Sequence, residues 1–250
     1  GVEVKVPLLE ENNFLPDLSA IPQDVARQAK MIWVNYPNNP TSAEANLGFY
    51  QDLVDWAQRY DVAVIADNPY SEICFDDFCP PSFLMAEGAR EVGIEFNSLS
   101  KAYNCCGWRI GMALGNKEII AAMAKVKSHS DRGIYYPIQV AATAALNGPI
   151  DFMEGRNKMF TERRDVVVDA LGKLGIKAAR PKATFYVWAP VPKGHGNSKE
   201  FCFSFLEKEA VWMIPGSMYG QYGEGYFRIA LTHSAERLGE AMVRMARFLG

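Results

Sequence analysis

The sequence predicts an α/β fold: a mostly parallel sheet with helices on both faces, followed by a smaller α+β domain. Two observations predict it. Short β-rich runs alternate with helical patterns in the first half of the chain, which is typical of a parallel sheet. After about residue 150, helical patterns dominate. We therefore expect a large domain over residues 1–150 and a small domain over residues 151–250. A chain of 250 residues buries enough surface to support both.

Five β-rich runs in the first half are the predicted strands of the large sheet. They are Val2–Leu8, Met31–Tyr36, Val62–Ala66, Gly93–Asn97 and Ile110–Leu114. Between the second and third runs, the apolar residues of Asn46–Tyr60 recur at helical spacing. This spacing predicts a crossover helix that covers one face of the sheet.

Residues that start and stop helices predict most of the remaining elements. Asn116 is suited to cap a helix that runs to Lys127, and Pro137 is suited to the first turn of a helix that ends at Asn147. A long amphipathic helix is expected over residues 151–175. The small domain is then expected to contain strands at Thr184–Ala189, Val211–Ile214 and Tyr226–Leu231 and helices at Lys199–Glu209 and Ser234–Phe248.

The composition favours small-molecule chemistry inside the cell. Hydrophobic residues make up 49% of the chain, charged residues 22%, and the net charge is -3, so no basic surface for nucleic acid is indicated. The five cysteines contain no CxxC pair, which argues against a disulfide framework or a metal site. We expect a reducing compartment, the cytoplasm, and a packing role for Cys105 and Cys106. No apolar run is long enough to predict a membrane span.

Polar side chains follow three of the predicted strands. In an open parallel sheet, ligands collect at the carboxyl ends of the strands, so these side chains are expected to converge. They are Asn39 after the second run, Asp67 and Tyr70 after the third, and Ser98, Ser100 and Lys101 after the fourth. Eight residues beyond Lys101, Arg109 lies between glycines, where a guanidinium can grip a dianionic phosphate. Each residue alone has an ordinary structural explanation, so the prediction of a site depends on the combination.

Several short segments of the chain resemble those of a known family. The segments NNPT, DNPY, SLSK with an arginine eight residues later, and GYFRIALT resemble the class I/II aminotransferases of pyridoxal phosphate (PLP) fold type I, in matching order along the whole chain. Longer segments such as GIEFNSLSKAYN and PKATFYVWAPVPKG look like the bacterial LL-diaminopimelate aminotransferases. The resemblance implies that residues 1–150 form the cofactor-binding domain and that the protein is a homodimer.

The resemblance assigns catalytic roles to three residues. Lys101 would hold PLP covalently and, once freed by the substrate amine, move a proton between the substrate α-carbon and the cofactor. Asp67 would pair with the pyridine nitrogen and keep it protonated. Tyr70 would donate a hydrogen bond to the phenolic oxygen of the cofactor.

The resemblance also assigns binding roles. Asn39 would donate to the same phenolic oxygen and contribute to the substrate carboxylate site, and the Asn39–Pro40 peptide is expected to be cis. Arg228 would clamp the substrate α-carboxylate through a bidentate pair. Part of the phosphate cup would be formed by Ser98, Ser100 and Arg109.

Compared with the family, this sequence is shorter at its front by roughly one third. The resemblance implies that the missing portion supplies strands of the large sheet, a small-residue loop of the phosphate cup, an aromatic ring that stacks on the cofactor and residues that cross the dimer interface. Two explanations stay open: the chain is a fragment of a longer polypeptide, or it is a shortened homologue that has rebuilt its fold.

Three functions stay open at this stage. The first is a transaminase that exchanges an amino group between an amino acid, LL-diaminopimelate above all, and a 2-oxo acid such as 2-oxoglutarate. The second keeps PLP and changes the reaction to β-elimination of sulfur amino acids, as in carbon–sulfur lyases. The third is an aminotransferase-like domain that senses a ligand for a regulator with a separate DNA-binding domain.

Overall fold

A computed structural model describes residues 1–250, which contain seven strands and nine α-helices. The strands are β1 (Met31–Asn35), β2 (Ala63–Asp67), β3 (Gly93–Ser98), β4 (Gly111–Gly115), β5 (Tyr186–Pro190), β6 (Ile214–Pro215) and β7 (Tyr226–Ala230). The helices are α1 (Gln23–Gln28), α2 (Leu47–Tyr60), α3 (Ala89–Val92), α4 (Leu99–Ala102), α5 (Lys117–Ser130), α6 (Tyr136–Asn147), α7 (Phe152–Lys173), α8 (Ser198–Glu209) and α9 (Ala235–Leu249). None of these helices combines the length and the apolar character needed to cross a membrane.

The large sheet has the strand order β1-β2-β3-β4. The pairs β1–β2 and β2–β3 are parallel and β4 runs antiparallel to β3, so the predicted mostly parallel sheet is confirmed. Parallel pairing brings the carboxyl ends of the first three strands to one edge. In this register Asn35 lies opposite Asp67, and Asp67 lies opposite Phe96. The predicted site residues follow this edge.

Helix α2 is the predicted crossover helix, and it covers one face of the large sheet. Its start is fixed by Asn46, whose side chain accepts the Phe49 N–H at 2.8 Å. Leu53 is fully buried in a cluster with Val34 and Val64 on the covered face of the sheet. Burial of a leucine side chain contributes about 2 kcal/mol, so this cluster holds β1 and β2 in place under the site.

The small antiparallel sheet has the strand order β5-β7-β6 and lies in a second core with α7, α8 and α9. Tyr70, Ile73 and Phe75, from the loop after β2, are buried in this second core. The loop is tied down by backbone bonds: the Phe75 N–H donates to the Lys182 carbonyl at 2.8 Å and the Thr184 N–H to the Ile73 carbonyl at 2.9 Å. The loop that carries Tyr70 therefore belongs to both parts of the molecule, and the division at residue 150 stays a prediction.

The predicted helix starts are confirmed, whereas one predicted strand is absent and another is shorter than predicted. Asn116 caps α5, and Pro137 lies in the first turn of α6. The segment Val2–Leu8 forms no strand, and its one β-bridge joins Leu8 to Pro16. Alternation of apolar and polar residues favours a strand only where an edge is available for pairing, and this segment pairs with neither sheet. Of the predicted strand Val211–Ile214, only Ile214 belongs to a strand, the two-residue β6.

Candidate active site

The loop after β1 presents Asn39 to the site. Asn35 and Asn38 brace this loop: the Asn39 N–H donates to Asn35 Oδ1 at 2.8 Å, and Asn38 Nδ2 donates to the Asn35 carbonyl at 3.0 Å. The Asn39–Pro40 peptide is cis, as the resemblance predicts. The side chain of Asn39 is bound as well, because its Oδ1 accepts Arg228 Nη1 at 2.6 Å. The loop that carries Asn39 and strand β7, which carries Arg228, thus meet directly.

Asp67 ends β2, and its carboxylate is half-buried. Asn35 Nδ2 donates to its backbone carbonyl at 2.8 Å, but no protein group donates to its side chain. Burial raises the pKa of the Asp67 carboxyl, because desolvation disfavours the charged form and no neighbouring cation opposes it. A half-buried carboxylate without a partner is suited to bind a cationic group of a ligand.

Tyr70, Tyr186 and Arg228 form a cluster beside Asp67. The hydroxyls of Tyr70 and Tyr186 are 3.3 Å apart, and the guanidinium carbon of Arg228 lies 4.1 Å from the ring centre of Tyr186. Burial, followed by the hydrogen bond with Tyr186, raises the pKa of Tyr70; the charge of Arg228 lowers that pKa and the charge of Asp67 raises it. Arg228 Nε is buried without a partner. Four predicted residues therefore meet at this position: Asn39, Asp67, Tyr70 and Arg228.

Lys101 approaches this cluster from α4. Its Nζ lies 5.5 Å from the ring centre of Phe185, and that ring packs edge-on against Tyr70 with 5.6 Å between centres. Lys101 Nζ also donates to Cys106 Sγ at 3.7 Å. Cys105 is buried, as predicted, but Cys106 is exposed, so the packing role predicted for Cys106 is wrong. The turn after α4 directs its thiol toward the lysine instead.

Ser98, Ser100 and Arg109 lie near one another in the backbone, but no hydrogen bond joins their side chains. Ser98 caps α4, since its Oγ accepts the Ser100 N–H at 3.1 Å. Ser98 also pairs with Gly111, two residues beyond Arg109. The Arg109 guanidinium is exposed and donates to the Cys106 carbonyl at 3.1 Å. The phosphate-cup role of these three residues stays a prediction.

Three residues of the site were missed by sequence reasoning: Phe185, Tyr186 and Arg156. The run Thr184–Ala189 predicts a strand but not its partner, and only the pairing of β5 with β7 brings Tyr186 under Arg228. Arg156 is one of several arginines of an amphipathic helix, and no local pattern distinguishes it. Its guanidinium contacts both α4 and the loop after β2, which are far from it in sequence.

The fold and the site define a class of protein. The family model of the class I and II aminotransferases matches residues 1–245, and the chain belongs to this family.

Among individual relatives, the chain is 53% identical to LL-diaminopimelate aminotransferase of Moorella thermoacetica over 250 residues, which cover 100% of this chain and 64% of the relative. Among solved structures, it is similar to substrate-bound BacF of Bacillus subtilis, with 38% identity, a TM-score of 0.94, and coverage of 97% of this chain and 62% of that one. A probable N-succinyldiaminopimelate aminotransferase of Thermus thermophilus has 36% identity and a TM-score of 0.91, with coverage of 97% and 64%. The chain thus spans less than two thirds of the length of these relatives.

Aminotransferases of this class use pyridoxal phosphate, and the residues present fit that group. The Asp67 carboxylate is half-buried and has no protein partner, which suits a protonated pyridine nitrogen. The phenol of Tyr70 and the amide of Asn39 both lie near Arg228 and are suited to the phenolic oxygen. The Lys101 amine lies next to the Tyr70–Phe185 pair and forms no ion pair.

Proposed function

We propose that this chain carries the catalytic residues of a PLP-dependent aminotransferase, which moves an amino group between an amino acid and a 2-oxo acid. One observation carries the proposal: a half-buried carboxylate without a protein partner, Asp67, lies beside the phenol of Tyr70. Such a carboxylate costs free energy in the absence of a cationic ligand. A purely structural role for Asp67 would not explain why its carboxylate is half-buried without a partner.

The side chains of the first two loops would orient the cofactor. Bound PLP supplies a ring that accepts the electrons left when a proton departs from the substrate α-carbon. Asp67 would hold the pyridine nitrogen protonated through its negative charge. Tyr70 and Asn39 would donate hydrogen bonds to the phenolic oxygen; the ring of Tyr70 packs against Phe185, and its hydroxyl contacts that of Tyr186.

Lys101 would hold the cofactor covalently and then move the proton at the substrate α-carbon. Its amine is free for both tasks, because its one polar contact is the weak one with the Cys106 thiol. No carboxylate binds it and draws it away from the substrate. General acid–base catalysis by a positioned group of this kind contributes about 10²–10⁴ in rate.

Arg228 would bind the substrate carboxylate. Asn39 and the ring of Tyr186 fix the plane of its guanidinium, and its Nη2 forms no hydrogen bond with the protein. A planar guanidinium with a free donor edge matches the two oxygens of a carboxylate. This site would receive both the amino acid and the 2-oxo acid, since they share that group.

We further propose that the amino donor is LL-diaminopimelate or a close analogue, with 2-oxoglutarate as acceptor, as in lysine biosynthesis. The 53% identity to a relative named for that substrate supports this choice. The proposal includes a homodimer in the cytoplasm and places Ser98, Ser100 and Arg109 at the cofactor phosphate.

A panel of amino donors tests the function directly. The full chain would be incubated with PLP, 2-oxoglutarate and single donors: LL-diaminopimelate, aspartate, alanine, an aromatic amino acid and a sulfur amino acid. Formation of glutamate with LL-diaminopimelate is the expected result. Glutamate from aspartate alone would overturn the substrate and leave the reaction intact. Release of ammonia and an oxo acid from the sulfur amino acid without an acceptor would overturn transamination.

A further inference from the structure

The helix that carries Lys101 cannot satisfy its own carbonyl groups. Helix α4 is four residues long, and the last four carbonyls of any α-helix lack partners within it. The backbone N–H of Tyr103, just past the helix, donates to the Leu99 carbonyl at 2.9 Å, and side chains supply the other bonds. Cys105 Sγ donates to the Leu99 carbonyl at 3.1 Å, and Cys106 Sγ donates to the Ser100 carbonyl at 3.2 Å. These two thiols are weak donors from the next turn of the same segment.

The remaining two carbonyls of α4 are bound from a distant helix. Arg156 of α7 donates through Nη1 to the Ala102 carbonyl and, at 3.5 Å, to the carbonyl of Lys101 itself. A charged donor at a helix C-terminus is favourable because it opposes the partial negative charge of the last carbonyls. Arg156 is therefore the one charged group that fixes the end of α4.

The same guanidinium also binds the loop that carries Tyr70. Arg156 Nη2 donates to the Glu72 carbonyl, two residues after Tyr70, in a turn closed by the bond from the Ile73 N–H to the Tyr70 carbonyl at 2.9 Å. Asn157 Nδ2 donates to the same Glu72 carbonyl at 3.0 Å. One guanidinium thus joins the lysine segment to the segment that carries the ring-binding residues.

Asn157 also orients the guanidinium. Its Oδ1 accepts Arg156 Nε at 3.1 Å and Nη2 at 3.0 Å, so the plane of Arg156 is held by its neighbour in sequence. Arg156 is partly buried, and its pKa is lowered by that burial, opposed by the charge of Glu72. The protein keeps a cation in a partly desolvated position whose contacts are mainly backbone carbonyls of the two site segments.

We propose that Arg156, oriented by Asn157, is a positioning residue that sets the place of Lys101 relative to Asp67 and Tyr70. The inference rests on the proposed function, in which Lys101 moves a proton at a site fixed by those two residues. A misplacement of about 1 Å costs a catalytic group about 10²-fold in rate. Substrate binding at Arg228 does not involve this clamp, so its loss acts on kcat rather than on KM.

The experiment compares Arg156→Met with Arg244→Met in the full chain. Arg244 is a matched control: its Nη1 also donates to the carbonyl of the last residue of a helix, Glu209 of α8, at 2.9 Å, but it touches neither site segment. The expected result for Arg156→Met is a kcat reduced about 30-fold, a KM within about twofold, and a shifted pH titration of the visible band of lysine-bound PLP. Arg244→Met is expected to leave all three unchanged.

Two milder variants keep the test decisive if Arg156→Met fails to fold. Arg156→Lys retains the charge but not the planar fork, and we expect an intermediate kcat. Asn157→Ala retains the guanidinium without its support, and we expect a smaller loss in the same direction. Wild-type kcat and pH titration in all the Arg156 and Asn157 variants, or equal changes in Arg244→Met, would overturn the inference.

A measurement without cofactor separates this inference from the proposed function. In the cofactor-free chain, Arg156→Met should accelerate amide hydrogen exchange in residues 99–103 and 71–75, whereas Arg244→Met should accelerate it only near residue 209. If the wild-type chain binds no PLP, the proposed function fails and the exchange result still decides whether the clamp exists. Unchanged exchange in both site segments would refute the clamp itself.

Discussion

The two sides of the candidate site differ in how their polar groups are satisfied by the protein. On the ring and carboxylate side, Asp67 has no partner for its half-buried carboxylate and Arg228 Nε is buried without one. On the proposed phosphate side, Ser98 is occupied as a helix cap and Arg109 donates from an exposed position to a local carbonyl. Polar groups that the protein leaves without a partner are costly when buried, so we expect a ligand to bind the Asp67 carboxylate and the Arg228 guanidinium.

The difference between the two sides indicates which contacts would contribute most to the binding energy of a ligand. On the first side, the Asp67 carboxylate is half-buried and Arg228 is held by Asn39 and Tyr186, so a cationic ring or a carboxylate would add hydrogen bonds without displacing a partner of Asp67. Incompletely satisfied buried polar groups are costly, and a ligand that pairs them recovers that cost. The second side would have to exchange existing contacts for those with a phosphate. We therefore expect substitutions on the first side to have the larger effects.

The largest effect is expected for Arg228→Lys. Loss of the bidentate fork should raise the KM of the amino acid and of the 2-oxo acid about 100-fold, on the order of 3 kcal/mol, because an ammonium cannot match both carboxylate oxygens. Steady-state kinetics with both substrates measure this, and the absorbance of bound PLP should stay the same. Arg237→Lys, at an exposed ion pair with Glu240 on α9, serves as the control and should change neither KM.

Asp67→Asn is expected to have a smaller effect, and to change both PLP affinity and the stability of the cofactor-free chain. Loss of the carboxylate should weaken PLP binding by about 2 kcal/mol, roughly 30-fold, since a charge-assisted hydrogen bond becomes a neutral one. The same change should stabilise the cofactor-free chain at pH 7. Fluorescence titration with PLP and urea unfolding of the cofactor-free chain measure the two parts.

The sign of the pH dependence follows from the raised pKa of Asp67. The folded state disfavours the ionised carboxyl of Asp67. The contribution of Asp67 to the stability of the wild-type chain is therefore most favourable below the ordinary pKa of 3.8, and that contribution is lost as the pH rises through the folded pKa. The advantage of Asp67→Asn should therefore be full at pH 7 and shrink as the pH falls toward 3.8. If the stability difference between Asp67→Asn and the wild type does not vary with pH, burial does not destabilise the ionised form of Asp67.

The smallest effect is expected for Ser98→Ala on the phosphate side. Loss of the cap of α4 should reduce the free energy of unfolding by about 1 kcal/mol, measured by urea denaturation. Ser98→Thr retains the capping hydroxyl and should behave like the wild type. A loss of PLP affinity larger than that of Asp67→Asn would reverse the order of the two sides proposed here.

Much of the fold was predictable because the signals are local. The parallel strands, the helix starts at Asn46 and Asn116 and the crossover helix depend on nearby residues, and the structure confirms them. The strand predicted at Val2–Leu8 failed because pairing is a long-range property that alternation does not specify.

The residues of the candidate site likewise divide into those that the local sequence predicts and those that depend on long-range packing. Asn39, Asp67, Tyr70 and Lys101 were predictable, since each follows a strand at the edge where parallel strands end. Tyr186 was not, because its place under Arg228 depends on how β5 pairs with β7. Arg156 reaches α4 and Glu72 across 54 and 84 residues of sequence, and only the packing of α7 brings them together.

The central claim is that Lys101 holds the cofactor, and covalent trapping tests it most directly. The full chain, saturated with PLP, would be reduced with borohydride, digested and analysed by mass spectrometry. The account predicts that the cofactor mass is found on the peptide that contains Lys101, and that Lys101→Ala loses both this label and the visible absorbance band. Label on another lysine, or a wild-type chain that remains colourless and unlabelled, would contradict it.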